Sequence, residues 1–193
     1  MIQKSEFVLA SGSPRRKELL EQLELNFSVL VTDIDETCRR EEPPREYVRR
    51  MALEKALAGW KMSGSKIPVL GADTVVLLDN DILGKPRDRE QAASMLEMLS
   101  NREHQVLSAV AIVQSSTNKK VLLNVTRVTF AEIPANFIHR YCSNDEPLDK
   151  AGAYAIQAEP GLYVSRIEGS YSGVMGLPLY ETGRLLELAG VLS

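Results

Sequence analysis

Between Val8 and Leu20 the chain reads VLASGSPRRKELL, an apolar run that passes through Ser11, Gly12 and Ser13 and turns helical at Pro14. Proline suits the first helical position because no backbone N–H is needed there. A strand that enters a helix through so short a turn restricts the chain to folds in which sheet and helix alternate. The junction also suits an anion: helix-start N–H groups carry partial positive charge, serine hydroxyls add donors, and Arg15 or Arg16 can grip two oxygens in parallel. A capped first helix with two solvated arginines accounts for the same letters, so this stretch alone leaves both readings open.

With 193 residues the chain can bury one good core, and it is expected to form a single domain over 1–193. Its formal charge of -3 argues against non-specific nucleic-acid binding, while a local basic patch could still hold one phosphorylated small molecule. No apolar run approaches the roughly 20 residues that span a bilayer, so no membrane partner is expected. The opening MIQKSEF lacks the apolar segment and cleavage site of a secretory signal, so the chain is expected to be cytoplasmic. Cys38 and Cys142 lack CxxC spacing and suggest neither a disulfide framework nor a zinc site.

Strand-like and helix-like patterns alternate along the rest of the chain. Phe27 to Val31 reads as a second strand, followed by a polar, proline-interrupted loop carrying Asp33, Asp35 and Glu36. From Pro44 the pattern is helical, with Val48, Met51, Ala52, Ala56 and Gly59 on one face. Lys55 falls on that face, where an ammonium either snorkels to the edge or points into a cleft. Val69 to Leu78 reads as a buried strand with Asp73 and Thr74 at its break, and a buried aspartate is expensive unless it is paired or binds metal. A hairpin-like turn at Asn80 and Asp81 then leads to Lys85 on a constrained loop.

A helix is expected from about Asp88 to Ser100, two long strands over roughly Glu103 to Gln114 and Lys120 to Phe130, and a short helix from Ile133 to Tyr141. The segment SNDEPLDKAGAYAIQ brings Asp145, Glu146, Asp149, Lys150 and Gln157 among small residues. There Gly152 either lets a ligand approach the backbone or belongs to a plain loop. A glycine-punctuated loop, GSYSGVMGLP, precedes a last amphipathic helix starting near Pro178. Neither GxxxxGK[ST] nor a GxGxxG after the first strand occurs, which disfavours P-loop enzymes and dinucleotide dehydrogenases.

The ordered set SGSPRRKELL, the loop ending DET, the EKA helix, GADTVV, GKP, KAGAYAIQ and GSYSGVMGLP resembles the Maf family of nucleoside triphosphate pyrophosphatases over nearly the whole chain. The resemblance implies an elongated α/β fold similar to inosine triphosphate pyrophosphatase. That fold has a mixed central sheet flanked by helices and two lobes around a deep cleft. It implies hydrolysis of a nucleoside triphosphate to its monophosphate and pyrophosphate with a divalent metal, Mg or Mn. By the same resemblance Asp73 is the general base or a metal-organising carboxylate, and Glu36 is a further acid near the metal. Lys55, Lys85 and the turn from Ser11 through Arg15 to Arg16 bind the phosphate chain.

Arg16, Thr74 and Gln157 match the branch acting on dTTP and UTP, in which amide and hydroxyl groups can read the edge of a pyrimidine. The resemblance is compatible with a homodimer. A non-enzymatic, nucleotide-binding regulator of septum formation and cell division is the alternative reading. Loss of the acidic or basic side chains would mark it, and all are retained.

Overall fold

The computed structural model describes residues 6–64 and 66–192. Its elements in chain order begin with strand β1 (Phe7–Ala10), helix α1 (Pro14–Glu21), strand β2 (Phe27–Val29) and helix α2 (Pro44–Met62). Strands β3 (Val69–Leu78) and β4 (Asp81–Leu83), helix α3 (Arg89–Leu99) and the long strands β5 (Glu103–Val113) and β6 (Lys119–Phe130) follow. Helix α4 (Ala135–Tyr141), strand β7 (Val164–Glu168) and helices α5 (Tyr171–Met175) and α6 (Leu179–Leu188) complete the order. The strands form one mixed sheet in the order β2-β1-β3-β5-β6-β7, with β4 paired antiparallel to β3. The expected α/β class, with a mixed sheet and flanking helices, is the one observed. Among the described residues no helix is long and apolar enough to cross a membrane.

Contacts divide the described chain into two compact units. The first gathers the residues through Asp73, Ser108–Asn124 and those from Gly176 onward. The second comprises Thr74–Leu107 and Val125–Met175, so the boundary falls within β3, between Asp73 and Thr74.

In the first unit β1 runs parallel to both β2 and β3, and its register sets Ala10 opposite Gly71. The turn that begins at Ser11 therefore leaves the sheet at the level where β3 reaches Ala72 and Asp73. Helix α2 lies against these strands on a face that buries Val48, Met51, Ala52, Ala56 and Gly59, the stripe expected from periodicity. Glycines permit the close approach. A Cβ at Gly71 would stand 2.4 Å from the Ala52 carbonyl oxygen, and one at Gly59 would stand 2.8 Å from the Ala10 Cβ.

The core of the second unit collects Val76, Leu78, Leu96, Leu99 and Phe130. Helix α3 starts where Asp88 accepts a hydrogen bond from the Gln91 N–H at 2.7 Å, a side-chain cap on the helix. Gly152 has a left-handed φ of 66° and approaches Val76, whose Cγ2 would lie 2.9 Å from an added Cβ. The close approach there is to the protein's own core.

Several elements differ from the sequence expectation. The second strand stops at Val29 rather than Val31, and a short helix, α5, forms inside the expected glycine loop. Strand β7, paired antiparallel with β6, was not expected at all. Four of its five residues are exposed, so it lacks the alternation of buried and exposed positions that betrays a strand.

His104, on β5, is 2 % exposed, with its Nε2 2.7 Å from the Tyr154 hydroxyl and its ring stacked on Phe130. Burial pushes its pKa down to about 4, against 6.5 for a free imidazole. Between these values the unfolded chain binds the proton that the folded chain refuses. The stability contribution is therefore complete above pH 6.5 and falls as the pH drops toward 4, by about 3 kcal/mol in all. Denaturant unfolding of His104→Phe at pH 7 and pH 4.5 is expected to lose less stability on acidification than the wild type does.

Candidate active site

The first unit brings together five of the expected site residues: Ser11, Arg16, Glu36, Lys55 and Asp73. Lys55 lies on the buried face of α2, and Asp73 is the last residue of β3 in this unit. The Lys55 Nζ is 2.8 Å from the Asp73 Oδ1 and 2.8 Å from the Glu36 Oε1. Side-chain exposures of 11 % for Lys55 and 10 % for Asp73 make this a nearly desolvated pair, whereas Glu36, at 53 %, reaches it from the solvent side. The lysine thus points inward, the less common outcome for an ammonium on an apolar stripe.

Burial is the largest influence on Asp73 and raises its carboxyl above the ordinary 3.8. The charges of Lys55 and Arg16 oppose that rise, and Glu36 adds to it. The outcome is an acid held between two tendencies, an arrangement suited to exchanging a proton with a neighbouring group.

Arg16 makes several hydrogen bonds to the protein itself. Its Nε donates to the Gly176 carbonyl at 2.8 Å, and its Nη1 donates to the Ala72 carbonyl at 2.8 Å and to the Ser11 Oγ at 3.3 Å. One guanidinium thereby ties the α1 turn to the residue before Asp73 and to the segment before α6. Ser11 is 7 % exposed, and its Oγ also accepts the Ser13 N–H at 3.2 Å, so it organises the turn from within. Ser13 occupies the N-cap of α1 without a side-chain cap, and Arg15 is half-buried in the first turn.

Three expected site residues belong to the second unit. Thr74 is half-buried on β3, Lys85 is exposed after β4, and Gln157 is exposed after Ile156. The cluster expected near Gln157 is partly self-satisfied: the buried Lys150 donates to the Glu146 carbonyl and to the Asp149 Oδ1.

Glu36 and Asp73 carry the oxygen donors that a divalent cation takes, and both meet the Lys55 ammonium. The described residues include no group of three or more His, Cys, Asp or Glu that could hold a metal. Magnesium commonly takes one or two carboxylates and completes its shell with water and substrate phosphates.

Residues outside the sequence motifs also take part. Tyr47 and Arg50, on α2, donate to the carbonyl oxygens of Glu36 and Thr37. Tyr47 and Arg50 lie one turn apart, but Lys55, five residues past Arg50, faces well around the helix from it, so spacing alone did not single them out.

Comparison with known proteins agrees with the ordered motifs. A family model described as Maf-like protein matches residues 6–189. The chain belongs to the Maf family. A dTTP/UTP pyrophosphatase from Escherichia coli (strain K12) is 51 % identical over 178 residues, covering 92 % of this chain and 90 % of that protein. A protein of the same name from Alkalilimnicola ehrlichii is 47 % identical over 184 residues, covering 93 % of this chain and 90 % of that one. Among solved structures, a dITP/XTP pyrophosphatase from Mycobacterium abscessus matches 66 % of this chain and 75 % of its own, at 22 % identity and a TM-score of 0.46.

In this Maf protein the meeting of Lys55 with Asp73 depends on α2 seating against β3. A methyl group at Gly71 would meet the Ala52 oxygen at 2.4 Å and the Ala56 nitrogen at 2.6 Å, and helix backbone cannot yield as a flexible side chain does. Gly71→Ala is therefore expected to lower stability by about 1–3 kcal/mol in denaturant unfolding.

Proposed function

We infer that this chain hydrolyses dTTP and UTP to the monophosphate and pyrophosphate. The observation that carries the reading is its likeness, at 51 % identity over 92 % of the chain, to a protein named dTTP/UTP pyrophosphatase. The gathered charges support it, because cleavage of an α–β phosphoanhydride asks for an activated water and neutralised phosphate oxygens.

Asp73 takes a proton from the attacking water. The water oxygen bonds to phosphorus, the anhydride P–O bond breaks, and pyrophosphate leaves with the bridging oxygen and its electron pair. The proton on Asp73 then passes to solvent. Lys55 holds Asp73 in place and keeps positive charge beside it, while Lys85 and Arg15 receive phosphate oxygens. Glu36 and Asp73 would hold the divalent cation, magnesium or manganese, which when bound neutralises charge on the phosphate chain. Thr74 and Gln157 supply the hydroxyl and amide that select the pyrimidine, and Arg16 contributes through the turn it anchors.

Purified protein with magnesium and a panel of nucleoside triphosphates tests the reading through release of monophosphate and pyrophosphate. dTTP and UTP are expected to lead, and absence of turnover with every triphosphate would overturn it. Asp73→Asn is expected to lower kcat by about 10²–10⁴-fold with an unchanged fold, the usual worth of a positioned proton acceptor. Gln157→Ala and Thr74→Val are expected to narrow the preference for dTTP over purine triphosphates by about tenfold or more, since a lost polar partner removes discrimination. An equal loss on all triphosphates would show that they do not select the base.

A further inference from the structure

Glu36 sits in the stretch 30–39, which has no regular secondary structure, and its side chain is half exposed, yet its carboxylate meets the Lys55 Nζ at 2.8 Å. A loop carboxylate in that condition would sample many positions unless its backbone were held. Two side chains of α2 hold it. The Tyr47 hydroxyl donates to the Glu36 carbonyl at 2.8 Å, and the Arg50 Nη2 donates to the Thr37 carbonyl at 3.0 Å.

The holding groups are themselves fixed. The Arg50 Nε and Nη2 each lie 2.6 Å from an oxygen of Glu42, a two-point fork between side chains that are 13 % and 9 % exposed. Its Nη1 reaches Glu54 one turn along the helix at 3.4 Å. Glu42 also accepts the Arg39 N–H at 3.1 Å and follows Glu41, which takes a left-handed φ of 60° in the turn that carries the chain into α2. The Arg50 Cζ lies 5.6 Å from the centre of the Tyr47 ring, so the two donors brace each other. The Arg50 guanidinium holds Glu42 down to about 2, so the fork stays charged across the working range of pH.

We propose that Tyr47 and Arg50 are positioning residues for Glu36: through the Glu36 and Thr37 carbonyls they aim its carboxylate at Lys55 and Asp73, with Glu42 as the anchor that sets the angle of Arg50. The catalytic part of this proposal rests on the pyrophosphatase reading. Helix α2 thus presents Lys55 and, from its preceding turns, also places the acid that Lys55 meets.

The test compares the wild type, Tyr47→Phe and Arg50→Lys as full chains. Tyr47→Phe removes one hydroxyl and keeps the ring, whereas Arg50→Lys keeps the charge and loses the fork. Each is measured by hydrogen exchange across 33–42 and by dTTP hydrolysis with magnesium. Both variants are expected to exchange faster across that segment and to lose about tenfold in kcat, Tyr47→Phe with Tm close to wild type and Arg50→Lys with a modest fall in Tm, because a misplaced Glu36 carboxylate no longer meets Lys55 beside Asp73. Unchanged exchange would overturn the proposal, as would faster exchange with unchanged kcat. A fall in kcat that merely follows a fall in Tm would do the same, since it would mark a structural role. Should the wild type hydrolyse no triphosphate, the pyrophosphatase reading fails, while exchange still decides whether Tyr47 and Arg50 hold the segment.

Discussion

An ammonium and a carboxylate meet out of water where Lys55 touches Asp73, and the rest of the first unit is arranged to make that meeting possible. Two isolated charges in such a place would be driven toward their neutral forms, at a cost that only close pairing offsets. Close pairing in turn requires helix α2 to lie almost against the backbone of β3. Gly71 and Gly59 provide the room, and the small residues Ala52 and Ala56 line the helix side. The site is therefore as dependent on missing side-chain atoms as on the charged ones.

The groups around that pair act mainly by fixing backbone. Arg16 gathers the Ala72 and Gly176 carbonyls and the Ser11 hydroxyl, so one cation holds three stretches that are distant in sequence. Arg50 and Tyr47 do the equivalent for the Glu36 loop. In both cases a donor with fixed geometry is directed at carbonyl oxygens, which have no freedom of their own once the neighbouring chain is set. Arginine suits this work better than lysine because its planar fork loses less freedom on ordering. The two arginines differ in how they are kept: Arg50 is paired with Glu42 and Glu54, whereas burial lowers the pKa of Arg16, with the Asp73 charge opposing that fall.

Phosphoanhydride hydrolysis gives these arrangements a purpose. The substrate brings several negative charges, and on the proposed reading they meet a site where carboxylates are already balanced against an ammonium.

Much of this was readable in the letters. The apolar period of α2 placed Lys55 on the buried face, and the apolar run through Val75 to Leu78 showed that Asp73 must find a partner. The order of motifs identified the family. These properties are local, being set by residue spacing within one element and by the cost of burying a charge. The partner of Asp73 was not readable, since Lys55 lies eighteen residues away on a different element. Nor were the carbonyl partners of Arg16 or the roles of Tyr47, Arg50 and Glu42, because a carbonyl oxygen belongs to every residue and carries no signature. Strand β7 escaped for a related reason: its exposed residues leave no trace of a buried face. Sequence alone determined which side chains are chemically able to act and which faces they occupy. Tertiary structure decided which of them meet, because meeting depends on how closely α2 can press on β3 and on which carbonyls the turns leave open.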